Sequence, residues 1–123
     1  YPSYGYWKNL GATTLWENWD GTQSRNHHMY ADAVHWILRN IGGVQNAGIA
    51  YDRCVLKPYL FAGDCSAKTC LQTSRGTLTF DWEKRGDEMR ARILLPGGTS
   101  CILQLPGEEP LSVTSGEYRF RLK

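Results

Sequence analysis

No apolar run in this chain approaches the roughly 20 residues that a bilayer-spanning helix needs, and its mean hydropathy is -0.46. A membrane partner is therefore not expected. A stripe of one charge is also missing. Lys and Arg number 14 against 12 Asp and Glu, a formal net charge of +2, and the two signs are interleaved, so the basic footprint of a nucleic-acid binder is absent. The densest charged stretch, Asp81-Trp82-Glu83-Lys84-Arg85-Gly86-Asp87-Glu88, mixes signs around a glycine. It reads as a solvated hairpin without chemistry.

No Cys-x-x-Cys pair occurs, which argues against a zinc site. Cys54, Cys65, Cys70 and Cys101 form an even set and favour disulfides in an oxidising, secreted or extracellular setting. The pairing is open. Cys65 with Cys70 would close a short turn, Cys54 with Cys101 would join strands far apart in sequence, and free buried thiols are the alternative. Tyr1-Pro2-Ser3-Tyr4-Gly5-Tyr6-Trp7 has neither an initiator Met nor an apolar leader core, so the numbering is expected to start after processing, after cleavage or at an arbitrary boundary. Neither an internal repeat nor a low-complexity tract is present.

What is present suffices for one modest core: 123 residues, 41% of them hydrophobic and 21% charged, the proportions of a globular domain. From Ser24 the apolar positions Tyr30, Ala33, Val34, Ile37, Leu38 and Ile41 fall on one helical stripe. Ser24 or Asn26 would supply the N-cap oxygen. Asp32 comes early, Arg39 falls in the last turn, and Gly42-Gly43 offers a left-handed stop. Such a stripe must be covered, either by a β-domain or by a partner that this sequence does not contain.

Beyond Gly48 the period becomes two, with Leu78, Phe80 and Trp82 on one face, then Met89, Ala91, Ile93 and Leu95, then Tyr118, Phe120 and Leu122. Turn signals fall at Arg85-Gly86-Asp87, Pro96-Gly97-Gly98, Pro106-Gly107 and Ser115-Gly116. The fold class is α+β and mostly β: a short helical segment over 1–48, then an antiparallel β-sandwich of about six or seven strands over 49–123.

The stretch Gly11-Ala12-Thr13-Thr14-Leu15-Trp16-Glu17-Asn18-Trp19-Asp20-Gly21, followed by Asn26-His27-His28, sets a carboxylate between two tryptophans with histidines close behind. Those are the components of a sugar site. Indole faces stack on the apolar face of a pyranose, while acids and histidines hydrogen-bond hydroxyls and move protons. The bland alternative is a loop with buried tryptophans and a capping glutamate. Adjacent His27 and His28 would point about 100° apart on a helix, and no third ligand is suitably spaced, so no metal is expected. His35 would pack or face solvent.

The order Gly-Ala-Thr-Thr-Leu-Trp-Glu, Trp-Asp-Gly and Ser-x-Asn-His resembles the α-L-rhamnosidase family of glycoside hydrolases. The likeness continues through Trp36 to Val44 and, more loosely, to Arg75-Gly76 and Leu94-Leu95-Pro96. The resemblance implies that residues 1–48 are the end of a catalytic α/α barrel and residues 49–123 a C-terminal β-sandwich. It implies inverting hydrolysis of terminal α-L-rhamnosides, which needs an acid for the leaving oxygen and a base for water. Glu17 would be the general base and His27 the sugar contact, with Trp16, Trp19 and Asn26 as pocket neighbours and no cofactor. The family's general acid belongs to an upstream motif that has no counterpart here. Asp20, before Gly21, reads as a turn residue, and Asp32 as an acid suited to a helix start.

The loop between Trp-Asp-Gly and Ser-x-Asn-His is only Thr22-Gln23, shorter than in many relatives, and the cysteines lie outside the family pattern. The leading reading is the C-terminal portion of a rhamnosidase-like hydrolase, inactive alone. It would take a rhamnose-bearing glycan as partner, with the missing barrel or another chain on the helix stripe. The alternative is a stand-alone, non-catalytic carbohydrate-binding or extracellular structural protein.

Overall fold

The computed structural model describes residues 3–123; Tyr1 and Pro2, on which part of the chain-start reading falls, lie outside them. The chain divides into two compact units, one ending at Trp36 and the other running from Ile37 to Lys123. The first contains helix α1 (Tyr4–Asn9), an irregular stretch, a 3-10 turn (Met29–Ala31) and helix α2 (Asp32–Trp36). The second opens with a π-helical turn (Ile37–Ile41). Its strands are β1 (Val44–Asn46), β2 (Arg53–Leu56), β3 (Cys65–Thr73), β4 (Gly76–Arg85), β5 (Glu88–Leu103) and β6 (Leu111–Leu122). Val44–Asn46 is thus already a strand, ahead of residue 49.

The single helix expected from Ser24 is not formed. Residues 24–27 are instead irregular and tied to the preceding loop, with Glu17 N donating to Ser24 O at 2.8 Å and His27 N to Leu15 O at 2.7 Å. The Ser24 hydroxyl is spent locally on Asn26 N, so it caps nothing. Regular winding starts only at Met29, after His28 and without a side-chain cap. It then changes pitch at Asp32 and again at Ile37. The last change is closed by Gly42 N donating to Ile37 O at 2.9 Å, and Gly43 supplies the left-handed stop at φ +77.

The β-unit is one sheet in the order β1-β2-β5-β4-β3, with β6 paired to β5. Every pairing is antiparallel except β2 with β5, a parallel contact that alternation alone does not foretell. Leu78, Phe80, Trp82, Met89, Ala91, Ile93 and Leu95 all face the core, as their period-two spacing requires. Val44, Cys54, Leu56, Cys101, Leu103, Leu105 and Val113 complete it.

Two of the four turn signals mark no turn. Across Pro96-Gly97-Gly98 the β5–β6 register jumps from Leu95↔Gly116 to Ser100↔Thr114, a large bulge, and Ser115-Gly116 lies within β6. A bulge bends the strand that carries the extra residues, so β5 pairs with β6 on both sides of a kink, while on its other edge it meets β4 before the kink and β2 after it.

Cys54 and Cys101 stand opposite each other in the β2–β5 pair and form a disulfide. The Cys65–Cys70 pairing is not made, and both are free thiols. They sit on the single strand β3 at an odd spacing. They therefore point to opposite faces, with Cα atoms about 16 Å apart at about 3.3 Å per residue, beyond disulfide reach.

The β4–β5 turn is pinned by Asp64, whose carboxylate accepts from Gly86 N at 2.9 Å and from Arg85 Nη1 at 3.4 Å. The Gly86 hydrogen bond, then Arg85, holds its pKa below the usual value. Glu88 is lowered through Arg90 and Arg121, and Glu117 through Arg119 and Arg92. A depressed folded pKa means the unfolded chain takes up protons first. The stability these groups contribute is complete above about pH 4.5 and is lost as pH falls through their folded values. Thermal melts should therefore show Tm dropping as pH falls below about 4.5, and Asp64→Asn should lower Tm at pH 7 while flattening that drop. A variant that melts with the same acid slope as the parent would remove Asp64 from this account.

Candidate active site

The Gly11–Asp20 stretch is irregular, yet it is fixed from several directions. Glu17 and His27 come from two irregular segments joined by the hydrogen bonds given above, and Thr14 Oγ1 also donates to Arg25 O. Ser24 N donates to Glu17 Oε2 at 3.3 Å, and His27 Nδ1 lies 3.8 Å from the same oxygen. Both side chains are 36% exposed. The carboxylate and the imidazole are thus adjacent, oriented and open to solvent, which suits two groups that act on one small polar ligand.

The loop from Asn18 to Gln23 is tied up by its own side chains. Asn18 Nδ2 donates to Thr22 Oγ1 at 2.9 Å, and Asp20 Oδ1 accepts from Thr22 N at 3.0 Å and Thr22 Oγ1 at 2.7 Å. Asp20 is a turn residue, and the Thr22 hydrogen bonds lower its pKa. An acid that must hold its proton until a leaving group takes it needs the opposite shift. Asp32 occupies the first turn of α2.

The tryptophans pack on one another. Trp16 is 7% exposed, with Arg25 lying over its ring at 4.9 Å. Trp19 is half-buried, 4.5 Å from the Trp7 ring and 5.3 Å from Tyr30. Trp7, unremarked in the sequence, is the centre: it is 2% exposed, and its indole N donates to Trp19 O at 3.1 Å. Its i, i+3 spacing from Tyr4, whose hydroxyl donates to Tyr30 O at 2.7 Å, was the available signal. Asn26 is exposed beside His27. His27 and His28 do not diverge as on a helix; their rings stack with centroids 6.0 Å apart. His35 is exposed, and no cluster of three His, Cys, Asp or Glu exists among the described residues.

Gly21 sits at φ +70, and a Cβ there would lie 2.6 Å from Trp16 Cζ3. Gly21→Ala must both strain the backbone and push the Trp16 ring out of place, so it should cost about 1–3 kcal/mol. Urea titration followed by tryptophan fluorescence would read this as an earlier transition. An unchanged midpoint would mean that Trp16 is not locked.

An acid beside a histidine on an aromatic-backed loop is followed in the sequence by a mostly-β unit, and similarity to known proteins sets the class, that of the glycoside hydrolases. Residues 1–41 match the family model for the bacterial alpha-L-rhamnosidase six-hairpin glycosidase domain, and residues 43–120 that for the bacterial alpha-L-rhamnosidase C-terminal domain. The chain belongs to the bacterial α-L-rhamnosidase family. It is 26% identical over 121 residues to an α-L-rhamnosidase of Streptomyces avermitilis, covering 89% of this chain and 12% of that protein. With the α-L-rhamnosidase of Formosa agariphila it is 27% identical over 131 residues, 98% of this chain and 14% of the relative.

Its fold matches the crystal structure of the Streptomyces avermitilis enzyme complexed with L-rhamnose at TM-score 0.79 and 24% identity, covering 100% of this chain and 15% of that one. For the α-L-rhamnosidase from Dictyoglumus thermophilum the TM-score is 0.75 at 28% identity, covering 98% and 17%. The chain therefore spans only about a seventh of the length of these relatives.

Proposed function

We propose that this chain acts as the C-terminal part of an α-L-rhamnosidase-like, inverting glycoside hydrolase, with Glu17 as general base and His27 as a contact to the sugar. The supporting observation is the 3.8 Å approach of His27 Nδ1 to Glu17 Oε2, with both groups still open to solvent. In an inverting reaction the base removes a proton from water as it attacks the anomeric carbon, while an acid on the opposite side protonates the departing oxygen. Glu17, held by Ser24 N through one oxygen, can accept that proton. His27 can donate to a sugar hydroxyl; exposed Asn26, next to it in the chain, and Trp19, which packs on Trp7 and Tyr30, would be its pocket neighbours. Trp16, covered by Arg25, supports the loop from behind.

The acid is supplied by the larger part of the barrel, since the turn-bound Asp20 is unsuited to the task. Apolar side chains exposed on the helical segment of the first unit, Met29 at 50%, Val34 at 64% and Trp36 at 55%, are the surface such a barrel would cover. The Cys54–Cys101 disulfide supports an oxidising, extracellular setting, and a rhamnose-bearing glycan is the expected ligand.

The purified chain, incubated with a chromogenic aryl α-L-rhamnoside, should release no product above the uncatalysed rate. Turnover by the chain that disappears in Glu17→Gln would overturn the shared-site reading, because the acid would then have to lie within these residues.

A further inference from the structure

The basic residues that look interleaved in the sequence are gathered by the fold. Strand register aligns Lys68, Asp81, Arg92 and Arg119 in one row across β3 to β6, and Ser66, Glu83, Arg90 and Arg121 in the next. Over these rows, on the face away from the core, lies a groove of about 490 Å³, within the range of ligand pockets. Five of its lining residues are cations, Lys68, Arg90, Arg92, Arg119 and Arg121, and Asp81 and Glu83 are its acids.

The guanidiniums are held in place from the groove's two ends. Glu117 Oε1 accepts from Arg92 Nε at 3.0 Å and from Arg119 Nη2 at 3.0 Å. Glu88 takes Arg90 through its Nε and Arg121 through Nη2 at 3.0 Å. Arg90 and Arg92 are therefore fixed by Nε alone, which leaves their terminal amino groups for a ligand. A guanidinium whose rotamers are already ordered loses less entropy when it binds an anion.

We propose that this groove binds a uronate-bearing oligosaccharide. The amino groups of Arg90 and Arg92 would take its carboxylates, and Asp81 and Glu83 would accept hydrogen bonds from its hydroxyls. A planar carboxylate fits a guanidinium fork. The two acids among the cations disfavour the closely spaced phosphates of nucleic acid but suit a chain that alternates hydroxyls with single charges. The choice of a saccharide rests on the family reading above; the groove itself does not.

The test is affinity electrophoresis of the full chain in gels containing alginate, a uronate polymer, against gels with a neutral glucan. Alginate alone should retard the protein, and raising salt from about 0.05 M to about 0.5 M should release it as screening shortens. The double variant Arg90→Gln, Arg92→Gln should bind about tenfold more weakly. Arg75→Gln, which removes a charge in the β3–β4 turn outside the groove, should bind as the parent does. Glu17→Gln should also bind normally, so loss of this site and loss of the catalytic reading are separable. Circular dichroism confirms that these exposed substitutions leave the fold intact. The proposal is overturned by absent retardation at low salt, by equal weakening in Arg75→Gln, or by tighter retention on duplex DNA, anionic vesicles or a sulfated glycan than on alginate.

Discussion

Replacing Glu17 by glutamine in a full-length enzyme that contains this sequence is expected to lower kcat by about 10²–10⁴-fold, the usual contribution of a positioned general base, with KM nearly unchanged. Glutamine keeps the size of the side chain and an oxygen that can still accept from Ser24 N, the bond that orients the carboxylate. The substitution therefore removes the proposed proton acceptor and little else. His27→Ala should behave differently, raising KM as well, because an imidazole that contacts the sugar acts in the ground state and the transition state alike. Steady-state kinetics on an aryl rhamnoside with a good leaving group isolates the water-activating step, since a good leaving group needs little help from the acid. If Glu17→Gln retained more than about a tenth of the parent kcat, the base would have to be assigned to another carboxylate.

The second large effect concerns the disulfide. Cys54 and Cys101, with a sequence separation of 47, close a loop whose restriction of the unfolded chain corresponds to about 4 kcal/mol in the chain-entropy account. Both residues lie in the core at 2% and 3% exposure, so alanine at both positions also removes packed sulfur. Cys54→Ala with Cys101→Ala should shift the urea midpoint of the β-unit strongly downward, and reductant should do the same to the parent while leaving the variant unaffected. Intact mass before reduction should be about 2 Da below the reduced value, with Cys65 and Cys70 both open to alkylation. Parent and variant melting alike would mean that the β2–β5 pairing holds without its covalent link.

How much of this could be read from the residues alone varies with the range of the forces involved. Alternation over Leu78–Trp82 and Met89–Leu95 marked the buried face correctly, because side-chain direction in a strand is a local property of the backbone. Asp20 and Gly21 were legible as a turn for the same reason. The helix from Ser24 was not formed, because an equally good local pattern lost to hydrogen bonds with residues 15–17, partners that periodicity does not register. Pro96-Gly97-Gly98 is a chain bender in either reading. Only the pairing of β5 with β6 decides that it makes a bulge and not a turn.

By itself, then, the sequence determined the mostly-β class, the apolar faces of the strands, and the presence of an acid and a histidine near one another in a family-specific order. Tertiary structure decided which cysteines meet, since β3 holds Cys65 and Cys70 apart while β2 and β5 set Cys54 against Cys101. It also decided that Trp16 is covered while Glu17 stays open, and that cations scattered over three strands converge on one groove. The physical reason is common to all three. Strand register and loop closure bring together residues distant in the chain, and their energies depend on partners that no local window contains.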